Sequence, residues 1–224
     1  MNVFMVYAYE DPTSFGAAMH NRLLSNLEKN GHSVVVSDLY ASGFHAVAAK
    51  WDFVVSGGAH EDYLLEQGRA ARSDTGFAED IKSEIIKLRS ADMVIFEFPL
   101  WWSAPSAMMK GWFDKVFAMG VVWDGNHRYE KGLMRGKQAL VVSGVGDSQT
   151  LYNTEGVHGA TLEQHLYPLL HSTLAHAGFD VLKPFFATGL TEMGEDERST
   201  TLVDLEMHIS NALSEPVFIY KHEL

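Results

Sequence analysis

The sequence predicts an open α/β fold in which helices cover both faces of a five-stranded parallel sheet with the strand order 2-1-3-4-5. Short apolar runs alternate with segments whose apolar residues recur every three or four positions, which indicates alternating strands and helices. The runs are continuous, as is typical of parallel strands buried on both faces. Short connections favour right-handed crossovers, and a doubly wound sheet of this order binds ligands at the carboxyl ends of strands one, three and four.

The strands are assigned to the apolar runs in chain order. Turn residues such as Gly31 and Pro99 separate the runs from what precedes or follows them. We assign strands to residues 2–8, 33–37, 93–98, 137–143 and 179–186. The ligand crevice should therefore be built from the loops 9–16, 99–103 and 144–147.

The helices are assigned from apolar spacing and end signals. Thr13 or Ser14 is positioned to cap the first helix, and Gly31 ends it. Two segments without a clean period, 38–77 and 118–136, predict long excursions, the first with one short helix around 63–69. The remaining helices are predicted over residues 78–90, about 105–117, 161–177 and 195–213.

Composition limits the function classes. The 224 residues are 46% hydrophobic without a low-complexity tract, so we expect one domain over residues 1–224. The formal net charge of -12 argues against nucleic acid or an anionic membrane as the main partner. Because the chain has no cysteine and its histidines lack ligand spacing, neither disulfides nor a metal site is expected. No apolar run reaches the ~18 residues of a membrane span and no leader is recognisable, so a cytoplasmic protein is expected.

An aromatic loop follows the third strand. Pro99, Leu100, Trp101, Trp102 and Ser103 lie between that strand and the helix predicted to begin near residue 105. Two adjacent tryptophans cannot both point into one core, so we expect at least one to stand at the crevice as a flat wall. The flanking prolines make the loop stiff, which lowers the ordering cost of binding a planar ligand.

The helix after this loop carries a wide apolar stripe. Pairs of large side chains recur every four residues, at Met108 and Met109, Trp112 and Phe113, and Val116 and Phe117. The stripe is wider than one contact with a sheet requires. We therefore expect part of it to form an exposed patch at a dimer interface.

Two other loops carry candidate site residues. Thr13, Ser14, Phe15 and Gly16 lie at a helix N-terminus, where free amides and the helix dipole suit a phosphate, although an ordinary helix cap explains them too. Beyond strand four, Tyr152 and His158 could donate protons or stabilise negative charge, and a purely structural histidine is the alternative. The Rossmann, Walker and nucleophile-elbow motifs are all absent from the sequence.

These segments together resemble the NAD(P)H:quinone oxidoreductase (DT-diaphorase) family of flavodoxin-like flavoproteins, in its bacterial branch. The segment Phe98 to Phe117 is the most specific, and Gly156-Val157-His158-Gly159 continues the likeness. The resemblance implies a flavodoxin-like fold, a homodimer and one FAD per subunit. It also implies NADH or NADPH as donor and ping-pong hydride transfer to a quinone.

The resemblance also implies residue roles. The cofactor-binding set comprises the diphosphate cradle Thr13, Ser14, Phe15 and Gly16, the flavin platform Pro99, Leu100, Trp101, Trp102 and Ser103, its second edge Gly146 and Asp147, and the adenine-side Arg198. Tyr152 and His158 correspond to the catalytic, charge-stabilising pair. Trp123 and His127 are expected to line the substrate pocket from the facing subunit.

Departures from the family pattern leave alternatives open. Tyr9 stands where the family has histidine, and Gly144-Val145-Gly146-Asp147 replaces Thr-Thr-Gly-Gly. The long C-terminal extension of the animal enzymes is missing. An ancillary subunit of a potassium-efflux system and an FMN-dependent general NAD(P)H oxidoreductase are the alternatives, and a one-electron carrier is disfavoured. The excursion 43–77 favours FAD over FMN because it could hold an adenosine moiety.

Overall fold

The computed structural model describes residues 1–54 and 62–222, and it contains one twisted sheet of eight strands. The strand order β2-β1-β3-β5-β6-β8 contains the predicted parallel order, which is confirmed. Here the predicted fourth strand is β5 and the predicted fifth begins with β6. The strands are β1 (Asn2–Tyr7), β2 (Ser33–Asp38), β3 (Met93–Trp101), β4 (Ala104–Pro105), β5 (Gln138–Gly144), β6 (Asp180–Leu182), β7 (Phe185–Ala187) and β8 (Phe218–Tyr220).

Helices cover both faces of this sheet. Along β3, Val94 and Phe96 point into one apolar core and Met93 and Ile95 into the other, as the two-residue repeat of a strand requires. The helices are α1 (Phe15–Lys29), α2 (Tyr63–Ala70), α3 (Glu79–Ser90), α4 (Ala107–Val116), α5 (Leu162–His165), α6 (Tyr167–Leu169) and α7 (Glu195–Ser214), with short 3₁₀ turns at Lys50–Asp52, Tyr129–Lys131 and Gln149–Leu151. Within the described ranges, no helix has the length and apolarity needed to span a membrane.

The last part of the sheet differs in detail from the prediction. The fifth strand is divided into β6 and β7, and both pair in parallel with β5. Pro184 lies between them and has no amide to donate to a ladder, which explains the break. No strand was predicted after residue 186, but the segment after Pro216 adds β8, which pairs antiparallel with β6.

The predicted helix 161–177 is irregular. It is divided into α5, α6 and a π-helical turn at Leu170–Ala175. Pro168 interrupts the helical hydrogen bonds, and the hydroxyl of Thr173 donates to its carbonyl oxygen at 3.0 Å. The apolar positions that predicted this segment, Leu162, Leu166 and Leu174 among them, are buried.

The apolar stripe of α4 is not an exposed patch, so this part of the prediction was wrong. Met109, Trp112 and Val116 have no exposed surface. The two long excursions fold back over α4 and supply a further apolar layer that includes Phe44, Phe53 and Val122. The helix also begins at Ala107 instead of Pro105, because Pro105 belongs to β4.

A buried ion pair fixes the first excursion to α4. Lys115 Nζ lies 3.0 Å from Asp52 Oδ1, and both side chains are 1% exposed. The same ammonium donates to the carbonyl of His45 at 2.7 Å, and the Tyr63 hydroxyl donates to Asp52 at 2.7 Å. The short helix predicted at 63–69 is α2, whereas residues 55–61 of the excursion lie outside the described residues.

Candidate functional site

The candidate site lies where the strand order reverses, at the carboxyl ends of β1, β3 and β5. The register places Tyr7 beside Glu97 and Pro99 beside Gly144, so the three loops that follow these strands begin at the same edge of the sheet. This is the position at which doubly wound sheets bind ligands.

The first loop ends at a helix N-terminus with free donors. Ser14 caps α1, since its hydroxyl accepts from the amide of Ala17 at 3.2 Å. The amides of Phe15 and Gly16 donate to no group in the described part of the chain, and the first turn carries no acidic residue. Two free amides at the positive end of a helix dipole form a site for an anion.

Thr13 is oriented differently from the other members of the predicted cradle. Its hydroxyl donates to Asp11 Oδ1 at 2.7 Å, and its amide donates to the same oxygen at 2.8 Å. These bonds lower the pKa of the Asp11 carboxyl. Asp11 therefore remains charged and holds Thr13 in place, while Phe15 and Gly16 offer the free amides.

Tyr9 joins the ends of two strands beneath this loop. Its hydroxyl donates to the carbonyl of Phe98 at 2.9 Å and accepts from the amide of Gly144 at 2.9 Å. Its ring packs so closely on Gly16 that a Cβ at that position would collide with it. The Tyr9 hydroxyl is thus engaged between β3 and β5, a role that sequence reasoning missed when it treated Tyr9 only as a departure from the family.

Arg198 lies beside the same loop. Its guanidinium carbon lies 5.3 Å from the centre of the Phe15 ring, and its Nε donates to the carbonyl of Met193 at 3.2 Å. The start of α7 therefore places a positive charge next to the N-terminus of α1. The structure brings Arg198 together with the predicted cradle, although the two are far apart in sequence.

The aromatic loop is a tight hairpin between β3 and β4. Leu100 pairs with Pro105 and Trp101 with Ala104, which leaves Trp102 and Ser103 as a two-residue turn. Both turn residues are left-handed, with φ of 50° and 57°, a conformation that usually selects asparagine or glycine. The Trp102 side chain is 100% exposed. A strained turn thus presents a flat aromatic surface at the edge of the crevice.

The loop after β5 faces the hairpin across the crevice. The amides of Gly146 and Asp147 have no acceptor within residues 1–54 and 62–222, while the Gly146 carbonyl accepts from Thr191 at 3.3 Å. The Asp147 carboxylate accepts from Nε2 of His158 at 3.0 Å. The loop therefore holds two free backbone donors and an oriented imidazole.

Tyr152 and His158 form a stacked pair in this loop. Their ring centres are 4.1 Å apart and their planes differ by 13°. Tyr152 is buried with Val145 and Leu162, and burial, followed by the charge of Asp147, raises the pKa of its phenol. The two predicted catalytic residues are therefore in direct contact.

The two predicted substrate-pocket residues are separated. Trp123 lines a cavity of about 440 Å³ next to β4. His127 is not among the lining residues, and its Nδ1 pairs with Asp124 at 2.8 Å on the surface. The cavity contains one member of the predicted pair.

A buried acid lies below the crevice and was not anticipated from the sequence. Glu97, in the centre of β3, accepts from His20 Nδ1 at 2.9 Å, and the His20 ring packs on Tyr7 with 4.4 Å between centres. Burial raises the pKa of Glu97 against the opposing effect of His20. Burial alone would lower the pKa of His20, but its hydrogen bond to Glu97 and the charges of Glu97 and Asp38 raise it overall. The place of Glu97 as a charged residue inside the apolar run Met93 to Phe98 is the sequence signal that could have revealed it.

Comparison with known proteins agrees with this geometry. A family model for a flavodoxin-like fold matches residues 1–209. The chain is 33% identical over 216 residues to a ribosyldihydronicotinamide dehydrogenase [quinone] of Mus musculus, covering 95% of this chain and 92% of the relative. It is 32% identical over 216 residues to NAD(P)H dehydrogenase [quinone] 1 of Cavia porcellus, covering 94% and 77%. The crystal structure of a putative quinone reductase from Klebsiella pneumoniae superimposes with a TM-score of 0.91 at 31% identity, covering 98% of this chain and 87% of that one.

Proposed function

Because the chain belongs to the NAD(P)H:quinone oxidoreductase family of flavodoxin-like proteins, we propose that it reduces quinones with NAD(P)H through a bound flavin. The observation that carries the proposal is the crevice between the 99–105 hairpin and the 144–148 loop. An exposed tryptophan stands on one side of it, and free backbone amides and an oriented imidazole lie on the other. A flat, redox-active heterocycle that carries carbonyl and ring-nitrogen acceptors fits these groups.

The residues at the carboxyl edge of the sheet fit a flavin nucleotide. The free amides of Phe15 and Gly16, with Arg198 beside them, would hold its phosphate groups. Trp102 would pack on the ring system, and the amides of Gly146 and Asp147 would donate to its polar edge. When bound, a flavin accepts a hydride from NAD(P)H and passes two electrons to the acceptor.

Tyr152 and His158 would stabilise negative charge at that polar edge. Asp147 accepts from Nε2 of His158, which fixes the imidazole, and the stacked Tyr152 ring restricts its rotation. Donors that are oriented before the reaction lower the barrier wherever charge develops. We assign the pair this electrostatic role.

We propose FAD as the flavin. The excursion between β2 and α3 is held on the core by the buried pair of Lys115 and Asp52, so its described parts form a fixed wall beside α4. Such a wall could accommodate the adenosine portion that FMN lacks. Flavin released from the purified protein should run as FAD on chromatography, in stoichiometric amount. Release of FMN alone would contradict FAD and leave the quinone reductase activity open.

We also propose a homodimer, on a different surface from the stripe of α4. Leu64, Trp101 and Tyr167 are large and about half exposed, and they lie at or next to the rim of the cavity beside β4. A second copy that covers this rim would bury them and enclose the cavity. Sedimentation should show a dimer at micromolar concentration, and a monomer there would contradict the proposal.

The activity itself is tested with the purified holoprotein. Steady-state assays with NADH and NADPH should show quinone-dependent oxidation with the parallel reciprocal plots of a ping-pong mechanism. A protein that binds flavin but oxidises neither nucleotide in the presence of quinones would contradict the proposed function.

A further inference from the structure

The cavity next to β4 has mostly apolar walls. It is bordered by α2, β4, α4, the segment 118–136 and the helical segment from Tyr167 to Ala177. Its volume of about 440 Å³ lies within the range of small-molecule sites. The apolar lining includes Pro105, Phe113, Phe117, Val122, Trp123, Leu169 and Ala177.

His176 is a polar side chain in this lining whose imidazole is free. Neither ring nitrogen is hydrogen-bonded to any group of the described chain. The ring is held between two aromatic neighbours, with its centre 5.9 Å from that of Trp123 and 5.1 Å from that of Tyr129. Packing therefore fixes the imidazole while its N–H remains available to an occupant of the cavity.

The charge state of His176 follows from its surroundings. Burial lowers the pKa of the imidazole, and electrostatic interactions with Arg128 and His171 lower it further. Lys110 and Asp114 also line the cavity, but they form an ion pair with each other on α4. His176 is consequently neutral at pH 7, with one N–H donor and one acceptor.

The other polar side chains on the cavity wall are already engaged or lie at the rim. Gln67 donates to the carbonyl of Asp114 at 2.8 Å and accepts from the amide of Met119 at 3.3 Å. The Thr173 hydroxyl donates to Pro168, and Ser172 is exposed. Among the residues the structure describes, His176 is the polar group with free capacity and a fixed ring.

We propose that His176 is a specificity-determining residue, whose imidazole N–H donates to a carbonyl oxygen of a flat aromatic acceptor lying against Trp123. This inference rests on the proposed function, because it assigns the quinone acceptor to this cavity. The neutral donor selects rings that carry a carbonyl oxygen over plain aromatic hydrocarbons of the same shape. The apolar wall contributes affinity for both kinds of ring without distinguishing them.

The test is equilibrium dialysis of the oxidised holoprotein without NAD(P)H, so that binding is measured without turnover. The probes are 1,4-naphthoquinone and naphthalene, which share a ring system and differ in the carbonyl groups. His176→Phe keeps an aromatic ring between Trp123 and Tyr129 but removes the donor. It should weaken naphthoquinone binding about three- to tenfold, the effect of one hydrogen bond, and leave naphthalene binding unchanged.

Two further variants complete the test. His176→Gln restores an N–H donor and should recover part of the naphthoquinone affinity. His32→Phe makes the same replacement at a half-buried histidine before β2, which does not line the cavity, and should change neither affinity. Unchanged naphthoquinone affinity in His176→Phe, or an equal loss for both probes, would overturn the inference.

Failure of this inference differs from failure of the proposed function. If the wild-type protein reduces quinones while His176→Phe binds naphthoquinone normally, the assignment of His176 is wrong and the function stands. If the wild-type holoprotein neither binds naphthoquinone nor reduces quinones, the proposed function is wrong and this inference fails with it.

Discussion

The ring of His158 lies flat against the ring of Tyr152, with 4.1 Å between their centres. Asp147 fixes the imidazole by accepting a 3.0 Å hydrogen bond from its Nε2. A change at any of the three residues therefore disturbs the orientation of the others. We expect the pair to behave as one unit in kinetics.

His158→Gln and Tyr152→Phe should each slow reduction of the bound flavin by NAD(P)H while flavin remains bound. Loss of one hydrogen bond to a charged group costs about 1.5–3 kcal/mol, which corresponds to roughly ten- to a hundredfold in rate. Because the rings are in contact, the double variant should lose less than the sum of the two single losses. Stopped-flow absorbance under anaerobic conditions measures this step separately from quinone reduction.

Wild-type reduction rates in both single variants would show that the pair is structural. The charge would then be stabilised by the amides of Gly146 and Asp147 instead.

Tyr9→Phe should destabilise the protein although it removes a single oxygen atom. The carbonyl of Phe98 keeps a second donor, the Ser143 hydroxyl at 2.8 Å, but the Gly144 amide loses its acceptor. An unsatisfied buried amide costs about 1–3 kcal/mol. Urea unfolding measures the loss. The control is Tyr40→Phe, because the Tyr40 hydroxyl has no hydrogen bond within the described residues. Equal stability of the two variants would show that the Tyr9 hydroxyl does not stabilise the junction of β3 and β5.

The free energy of unfolding should fall as the pH rises above 6.5. The folded pKa of His20 is raised above its ordinary value of 6.5, so the stability that protonated His20 contributes is complete below that pH and is lost as the pH passes the folded pKa. The pKa of Glu97 is raised as well, from 4.5, and its contribution has the same sign. The pair holds a proton in the folded state that the unfolded chain releases.

Replacing His20 and Glu97 together by glutamine should flatten this pH dependence. Urea midpoints at several pH values between 6 and 9 measure it, with His32→Gln as a control at another half-buried histidine. Parallel curves for wild type and the double variant would assign the pH dependence to other groups.

Trp112→Phe should lower stability without altering the oligomeric state. The indole Nε1 donates to Glu84 Oε2 at 2.8 Å inside the core, and the phenyl ring leaves that oxygen without this donor. We expect a loss of about 1–3 kcal/mol in urea unfolding, with an unchanged sedimentation coefficient. Trp51→Phe, at a residue that is 57% exposed, is the control. If Trp112→Phe dissociated a dimer and Trp51→Phe did not, the result would support the stripe of α4 as the dimer interface after all.

Much of the architecture follows from sequence periodicity. Continuous apolar runs are sufficient to identify β1, β3 and β5. A strand that is buried on both faces is apolar at nearly every position instead of at every second position. The same reasoning failed for α4, since the spacing of Trp112 and Val116 shows that they are buried but not what covers them. Their cover comes from excursions such as the segment that contains Phe44 and Phe53, whose own sequence has no period.

The site was partly predictable for similar reasons. The exposure of Trp102 and the capping of α1 by Ser14 could be predicted because loop position and residue type are local properties. The positions of Arg198 beside Phe15 and of Tyr9 between Phe98 and Gly144 depend on how distant segments meet, which no local pattern encodes. The position of His176 on the cavity wall was missed because its neighbours Trp123 and Tyr129 belong to the 118–136 excursion, which is distant in sequence.

The buried pair of Lys115 and Asp52 has a consequence for hydrogen exchange. If either residue were withdrawn alone, an uncompensated charge would remain in an apolar environment, which is far more costly than breaking a surface pair. The segment around Lys50–Asp52 should therefore not fray residue by residue. It should open together with its contacts on α4 in one cooperative event, so that the amides on both sides exchange at a common rate.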